Sequence, residues 1–255
     1  FALARGAAHS HDIKLSPQLV ETNRNFATKL WNACRFAEMN GCEKPAGFDP
    51  TTAKETLNRW IAHETSRATR EVTEAIEGYR FNDAANAIYR FVWNVYCDWY
   101  LELAKPVLMG EEGAAKAETR AMIAWARDEI LKLLHPFMPF ITEELWMVTA
   151  SRDGLLALAP WSRKADSVTV EQLALLSPTG VSDPLIPPVL LAYDPADFAD
   201  EAAEAEIGWV IDLVTAIRSV RAEMNIPPAT LTALVLAGVS AQTRERVPRW
   251  SDVVR

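Results

Sequence analysis

The sequence is short of the residues that build several common kinds of site. Its three cysteines, Cys34, Cys42 and Cys97, contain no C-x-x-C pair, so neither a disulfide framework nor a zinc ribbon is predicted and reduced thiols are expected. Only 10 of the 255 residues are glycine, and no repeated glycine-rich loop is present. No apolar run reaches about 18 residues, so no membrane span is predicted. A cytoplasmic location is expected.

What the chain does contain is typical of a helical globular protein. Hydrophobic residues make up 49% and charged residues 24%, which is enough to build a core at this length. Long stretches rich in Ala, Leu, Glu and Arg favour helix. The chain starts at Phe1 and ends at Arg255, both within patterned segments, so we expect a piece of a larger protein.

The charge argues against non-specific coating of nucleic acid. The net charge is −8, which is the wrong sign for that role. Residues 1–80, however, carry eleven Lys and Arg against ten Asp and Glu. A nucleic-acid contact is therefore expected in the first third of the chain, if anywhere.

Capping signals and apolar periodicity predict a mainly α fold over residues 1–150, an antiparallel helical bundle. Ser16 and Pro17 start the first long helix, which runs to Met39 before Gly41. The other predicted helices have these bounds: Thr52 (a capping box with Glu55) to Glu77, Asn82-Asp83 to Lys105 before Pro106, Glu112 to Leu134, and Pro139 to Thr149.

The character of the sequence changes after residue 150. Residues 151–199 contain six prolines and are predicted to form an irregular connection with short extended pieces such as Pro188–Tyr193. Residues 200–255 are predicted to begin with a long helix, from the Asp200 cap to Met224. The start of a small α/β piece follows, with a strand at Leu231–Leu236 and the beginning of another helix.

The first long helix has an unusual polar face. At about 100° per residue, Phe26, Ala27, Leu30, Trp31, Ala33, Cys34 and Ala37 form the predicted buried stripe. The other side presents these residues and no carboxylate: Arg24, Asn25, Thr28, Lys29, Asn32, Arg35 and Phe36.

This set of side chains suits an unpaired nucleic-acid base. An aromatic ring can stack on a base, an asparagine can pair with its edge, and lysine or arginine can hold phosphate. The alternative is that Phe36 packs under a neighbouring helix and the rest is a solvated surface. Spacing alone favours this alternative.

Five long motifs resemble valyl-tRNA synthetases, in the order in which that family has them. They are N-F-A-T-K-L-W-N-A-C-R-F (Asn25–Phe36), Y-R-F-N-D-A-A-N-A-I-Y-R-F-V-W-N-V-Y-C-D-W-Y-L-E-L-A-K-P (Tyr79–Pro106), L-H-P-F-M-P-F-I-T-E-E-L-W (Leu134–Trp146), L-A-P-W (Leu158–Trp161) and A-I-R-S-V-R-A-E-M-N-I-P-P (Ala216–Pro228). The segment D-I-K-L-S (Asp12–Ser16) precedes the first motif, as it does in that family.

The resemblance implies an anticodon-binding helical bundle that recognises valine tRNA. Anticodons for valine share their last two bases, A and C. By this resemblance Phe36 stacks on an anticodon base while Lys29, Asn32 and Arg35 make polar contacts. Arg24 and Asn25 share the face and are weaker candidates.

The signatures of catalysis in that family are missing from this chain. Neither an H-I-G-H-like nor a K-M-S-K-S-like motif occurs, so the chain is expected to bind tRNA without activating valine. The resemblance implies ATP and Mg²⁺ as cofactors of a full-length enzyme, with none bound by this piece. Its expected partners are valine tRNA and the catalytic domain of the same chain, in a monomer.

The sequence departs from the valyl-tRNA synthetase pattern at two places, and two other identities for the chain stay open. His9-Ser10-His11 replaces a Gly-Arg-like pair of the family, and residues 162–199 are longer than its usual connection. The chain could instead be the matching piece of an isoleucyl-type enzyme, or a helical scaffold that binds no RNA.

Two arginines of the later helix are further candidates. Arg218 and Arg221 lie three residues apart on one face and could contact tRNA or the catalytic domain. They could equally complement the helix end or pair with Glu223 or Asp212. The histidines complete no ligand set, so no metal site is predicted.

Overall fold

The computed structural model describes residues 1–6, 16–152, 154–161, 198–227 and 230–254. The described residues form helices joined by short turns. Their bounds are α1 Ala2–Gly6, α2 Pro17–Met39, α3 Thr56–Glu77, α4 Phe81–Arg90, a π-helical stretch Phe91–Tyr100, α5 Leu101–Met109, α6 Ala114–Leu134, α7 Pro139–Val148, α8 Glu201–Glu223, α9 Ala241–Arg249 and α10 Ser251–Val254.

The bundle is organised around α3. This helix packs against α4, the π-helical stretch, α6 and α8. Its apolar residues are buried over its whole length, including Leu57, Ile61, Ala68, Val72 and Ala75. The mainly α fold predicted from the sequence is confirmed.

Helix α2 has the predicted bounds because both of its ends are encoded locally. The Ser16 hydroxyl accepts a hydrogen bond from Leu19 N at 3.2 Å, and Pro17 occupies the first turn. After Asn40, Gly41 has φ = 65°, a backbone conformation that costs glycine little. Helix α2 itself packs against the π-helical stretch, α6 and α7.

Helix α3 begins four residues later than predicted, because Thr52 belongs to a separate turn. Thr52 ends a 3₁₀ turn, Pro50–Thr52, and its hydroxyl donates to the Asp49 carbonyl at 2.7 Å. The carboxylate of Glu118, from α6, caps α3 instead. It accepts hydrogen bonds from the backbone N–H groups of Lys54 and Glu55, both at 3.0 Å, and from Asn58 Nδ2 at 2.9 Å.

We therefore expect Glu118→Ala to lower the free energy of unfolding by about 1–2 kcal/mol, the usual cost of a lost helix cap. Glu118→Gln keeps one acceptor oxygen and should lose less. Urea denaturation followed by circular dichroism measures both. Glu111→Ala, which removes an exposed carboxylate from the same region, is the matched control. An equal effect of Glu111→Ala and Glu118→Ala would contradict the capping role.

The third predicted helix is longer than predicted at both ends. It starts at Phe81, so Asn82 and Asp83 lie inside its first turn and do not cap it. It also continues through Pro106 to Met109. Proline removes one N–H from the ladder, but buried Leu103, Ala104 and Leu108 hold the last turns against the core.

The middle of this helix, Phe91–Tyr100, has the i→i+5 hydrogen bonds of a π-helix. Two of its tyrosines are fully buried, and both hydroxyls find partners on other helices. Tyr96 donates to the Ile123 carbonyl at 3.2 Å, and Tyr100 donates to Asn58 Oδ1 at 2.9 Å. Burial raises the pKa of both phenols well above the usual value, so both remain donors.

A buried carboxylate ties the segments that follow α2 and α7 to α6. Asp128 accepts hydrogen bonds from Arg127 Nη2 at 3.0 Å and Arg152 Nη2 at 2.6 Å, and Lys44 Nζ lies 3.5 Å from its other oxygen. The Arg152 guanidinium also lies 3.7 Å from the centre of the Trp146 ring. Asp128 is thus a common anchor for three cations from separate parts of the chain.

Helices α6, α7 and α8 lie close to their predicted positions. Asp200 caps α8 through a 2.8 Å bond from Ala203 N to its carboxylate, as predicted. The first half of α8 buries Ala203, Ile207, Val210 and Val214 in the same core as α3. Its second half is largely exposed.

The strand predicted at Leu231–Leu236 is wrong. Residues 230–237 form no regular element, because a strand needs a neighbour to complete its hydrogen bonds and the described residues offer none. Helix α9 confirms the helix predicted near the end. The predicted extended piece Pro188–Tyr193 and the His9–His11 pair lie outside the described residues.

Across the described residues, no helix combines the length and the apolar character needed to cross a bilayer.

All three cysteines are buried free thiols. Desolvation raises the pKa of Cys34 and Cys97 to about 12 and that of Cys42 to about 11. Since the thiolate is the reactive form, buried thiols of this kind are inert.

We expect none of the three thiols to react appreciably with Ellman's reagent in the folded chain at about pH 8, because the raised pKa leaves roughly a hundredth of the usual thiolate at Cys42 and roughly a thousandth at Cys34 and Cys97. All three should react in concentrated guanidinium chloride. Rapid reaction of any thiol in native buffer would contradict the burial.

Candidate nucleic-acid interface

The two faces of α2 separate largely as the helical wheel predicts. Phe26, Leu30, Ala33, Cys34 and Ala37 are buried. Trp31 differs from the prediction, since 38% of it is exposed. Its position at the edge of the stripe explains this, because the neighbouring helices cover only the centre.

The opposite face leaves most of its polar side chains in solvent. Asn32 and Arg35 are exposed, as are Arg24 and Asn25 nearer the start of the helix. Within the described part of the chain, neither the Asn32 amide nor the Arg35 guanidinium forms a hydrogen bond or an ion pair. These donors and acceptors are therefore available to a ligand.

Phe36 lies at the boundary between the polar face and the core. It is half-buried and packs against the core cluster, while its carbonyl accepts a bond from Asn40 Nδ2 at 2.8 Å. The ring is therefore compatible both with packing in the core and with stacking on a base, because one part of it is covered and another part is open to solvent.

Lys29 does not project freely into solvent. Its ammonium forms an ion pair with Asp98 and lies 3.9 Å from the centre of the Trp93 ring, within the range of a cation–π interaction. Although α2 itself has no carboxylate on this face, the neighbouring helix supplies one. The sequence reasoning missed both partners.

The π-helical stretch explains why Trp93 and Asp98 meet at Lys29. In an α-helix, side chains five residues apart point about 140° away from each other. The i→i+5 hydrogen bonds of the π-helix instead place such residues one above the other. Both side chains can therefore face the same residue of α2.

A column of aromatic rings packs against Trp93 and helps to fix its position. Phe1 stacks on Phe26 with centroids 4.9 Å apart, Phe26 contacts Tyr89 at 5.0 Å, and Tyr89 stacks on Trp93 at 5.7 Å. The Arg5 guanidinium lies 3.6 Å from the centre of the Tyr89 ring. Trp93 is thus one end of the column, and the Lys29 ammonium lies over its ring.

The two candidate arginines of α8 have different surroundings. Arg218 is exposed, and its guanidinium lies 5.3 Å from the centre of the Trp99 ring. Arg221 is half-buried and donates to the Pro227 and Thr230 carbonyls at 2.8 and 2.9 Å. Arg218 is the more available of the two to a partner, because Arg221 secures the turn after α8.

One group of described residues has the chemistry of a metal site. His63, Glu64 and Glu204 bring one ligand atom each within 4.8 Å of one another. Arg67 lies between the two carboxylates, paired with Glu64 and 3.1 Å from Glu204. An arginine there already supplies the positive charge that a metal ion would bring.

The sequence matches a family and a set of named relatives. Residues 58–236 match the family described as the anticodon-binding domain of tRNA ligase. Over its whole length, the chain is 74% identical to the valine–tRNA ligase of Rhodopseudomonas palustris, 73% identical to that of Bradyrhizobium diazoefficiens and 49% identical to that of Caulobacter vibrioides.

The chain spans 27%, 27% and 25% of the lengths of these relatives. The α2 face precedes the residues matched by the family, whereas α8 lies within them. The match covers most of the chain and agrees with the helical bundle described above. The chain therefore belongs to the family of anticodon-binding domains of tRNA ligases.

Proposed function

We propose that this chain is the anticodon-reading part of a valine–tRNA ligase and that Lys29, Asn32, Arg35 and Phe36 form its reading surface. The observation that carries the proposal is the exposed polar face of α2, which has free donors beside a half-buried aromatic ring. The division of the chain into 1–150, 151–199 and 200–255 belongs to the same proposal.

Each side chain has a role that suits its surroundings. The open part of the Phe36 ring stacks on an unpaired base. Asn32 offers both a donor and an acceptor to a base edge, and Arg35 holds phosphate. Lys29, fixed by Asp98, presents its remaining N–H donors in a defined direction.

The charge of the surface favours RNA over a protein scaffold. Arg24 and Arg35 are exposed on the face, and unneutralised cations attract a phosphate backbone. Arg24 and Asn25 extend the contact toward the start of α2. Arg218 contributes a more distant contact with tRNA or with the catalytic domain, and Arg221 supports the turn beside it.

The whole protein would use ATP and Mg²⁺ to join valine to its tRNA in the cytoplasm, as a monomer. This chain would contribute recognition and no catalysis, because it lacks H-I-G-H-like and K-M-S-K-S-like motifs. Its partners are the anticodon arm of valine tRNA and the catalytic domain of the same protein.

Binding to anticodon hairpins tests the proposal. We expect a hairpin with the valine anticodon to bind more tightly than one with an isoleucine anticodon, and more tightly than a valine hairpin whose A and C are both changed. Fluorescence anisotropy measures the three affinities at one salt concentration, since salt changes the phosphate contribution. Equal affinity for all three would overturn anticodon reading, and no binding at all would favour the scaffold.

Substituting Phe36 separates stacking from packing. Phe36→Ala should weaken hairpin binding by about 1–3 kcal/mol and also lower stability, because the ring is half-buried. Phe36→Leu, the matched control, keeps most of the packing and removes the stacking, so it should lose affinity while the melting temperature changes little. Unchanged binding by Phe36→Leu would assign the ring to packing alone.

A further inference from the structure

Asp98 is an unexpected residue for a surface that binds RNA. Its side chain is 44% exposed, yet a carboxylate beside a nucleic acid repels phosphate. One of its oxygens, Oδ1, holds Lys29. Within the described part of the chain, its other oxygen, Oδ2, has no hydrogen-bond partner.

We infer that Asp98 is a specificity-determining residue: its free oxygen accepts a hydrogen bond from the exocyclic amine of one of the two anticodon bases that valine tRNAs share. This inference rests on the proposed function and adds the chemical basis of base selection.

The base chemistry fits a carboxylate. Adenine and cytosine each present an amine donor, N6 and N4, whereas guanine and uracil present the oxygens O6 and O4 at the equivalent position. An ionised carboxylate can only accept hydrogen bonds. Asp98 would therefore bind A or C and repel G or U, whose oxygen would face its own.

This discrimination separates valine from its neighbours in the genetic code. The last two anticodon bases are A and C for valine, A and U for isoleucine, and G and C for alanine. Each wrong anticodon replaces one amine with an oxygen. A carboxylate thus rejects one of these competitors through a repulsive contact as well as through a lost bond.

Lys29 and Trp93 allow the Asp98 carboxylate to lie beside RNA. The ion pair offsets the repulsion between Asp98 and phosphate, and the Trp93 ring, 3.9 Å from the ammonium, restricts where Lys29 can lie. Since Oδ1 is held by Lys29, Oδ2 is directed by the same contact. The pair would act as a preorganised reader with an acceptor and a donor side by side.

The test removes single amines from the RNA. The full-length protein containing this chain is measured against the valine hairpin and against two analogues, one with purine in place of adenine and one with pyrimidin-2-one in place of cytosine. We expect one of the two analogues to bind about tenfold or more weakly, as a lost bond to a charged acceptor should.

Substitution then assigns that loss to Asp98. In Asp98→Ala the valine hairpin and the sensitive analogue should bind within about twofold of each other, whereas Asp98→Asn, which keeps an acceptor oxygen, should retain part of the difference. Glu102→Ala, which removes an exposed carboxylate from the next turn, is the matched control and should leave the difference intact.

Three results would overturn the inference in distinguishable ways. If the unmodified protein binds both analogues as tightly as the valine hairpin, it recognises neither amine. If Asp98→Ala weakens all hairpins equally and the analogue difference persists, Asp98 only positions Lys29. If the unmodified protein does not prefer the valine hairpin to a scrambled one, the proposed function fails and this inference with it.

Discussion

The structure depends on a local change of helical geometry in the segment that crosses the centre of the bundle. Between Phe91 and Tyr100 the backbone adopts i→i+5 hydrogen bonds, which bring residues five apart onto one face. The same stretch carries two buried tyrosines that donate to partners on α6 and α3. It also directs Trp93 and Asp98 to the same point on α2. One stretch of the chain therefore contributes both to the core and to the candidate interface.

Long-range polar contacts complete what the local sequence leaves unsatisfied. Glu118 caps a helix that begins more than 60 residues earlier, and Asp128 gathers cations from separate segments. These contacts matter most at helix ends, where backbone groups lack partners within their own helix. The result is a bundle whose turns are held by side chains of other helices, leaving the polar face of α2 free of structural duties except at Lys29 and Phe36.

Much of the candidate site was predictable, because an α-helix has a fixed period. The wheel of α2 separates its buried stripe from its polar face correctly, apart from Trp31, and identifies Asn32 and Arg35 as exposed. It could not show that Lys29 is already paired, since Asp98 is 69 residues away in sequence. It also could not decide between stacking and packing for Phe36, because the ring takes part in the core while remaining half-open.

Local sequence alone accounts for the helix ends that have side-chain caps, such as those set by Ser16 and Asp200, and for the composition of the α2 face. Both follow from interactions within a few residues. Tertiary contacts set the start of α3, the passage of the helix through Pro106, the irregular backbone of residues 230–237 and the meeting of Lys29, Trp93 and Asp98. Each of these depends on a contact with a distant part of the chain or, for residues 230–237, on the lack of a neighbouring strand among the described residues, and no local pattern encodes it.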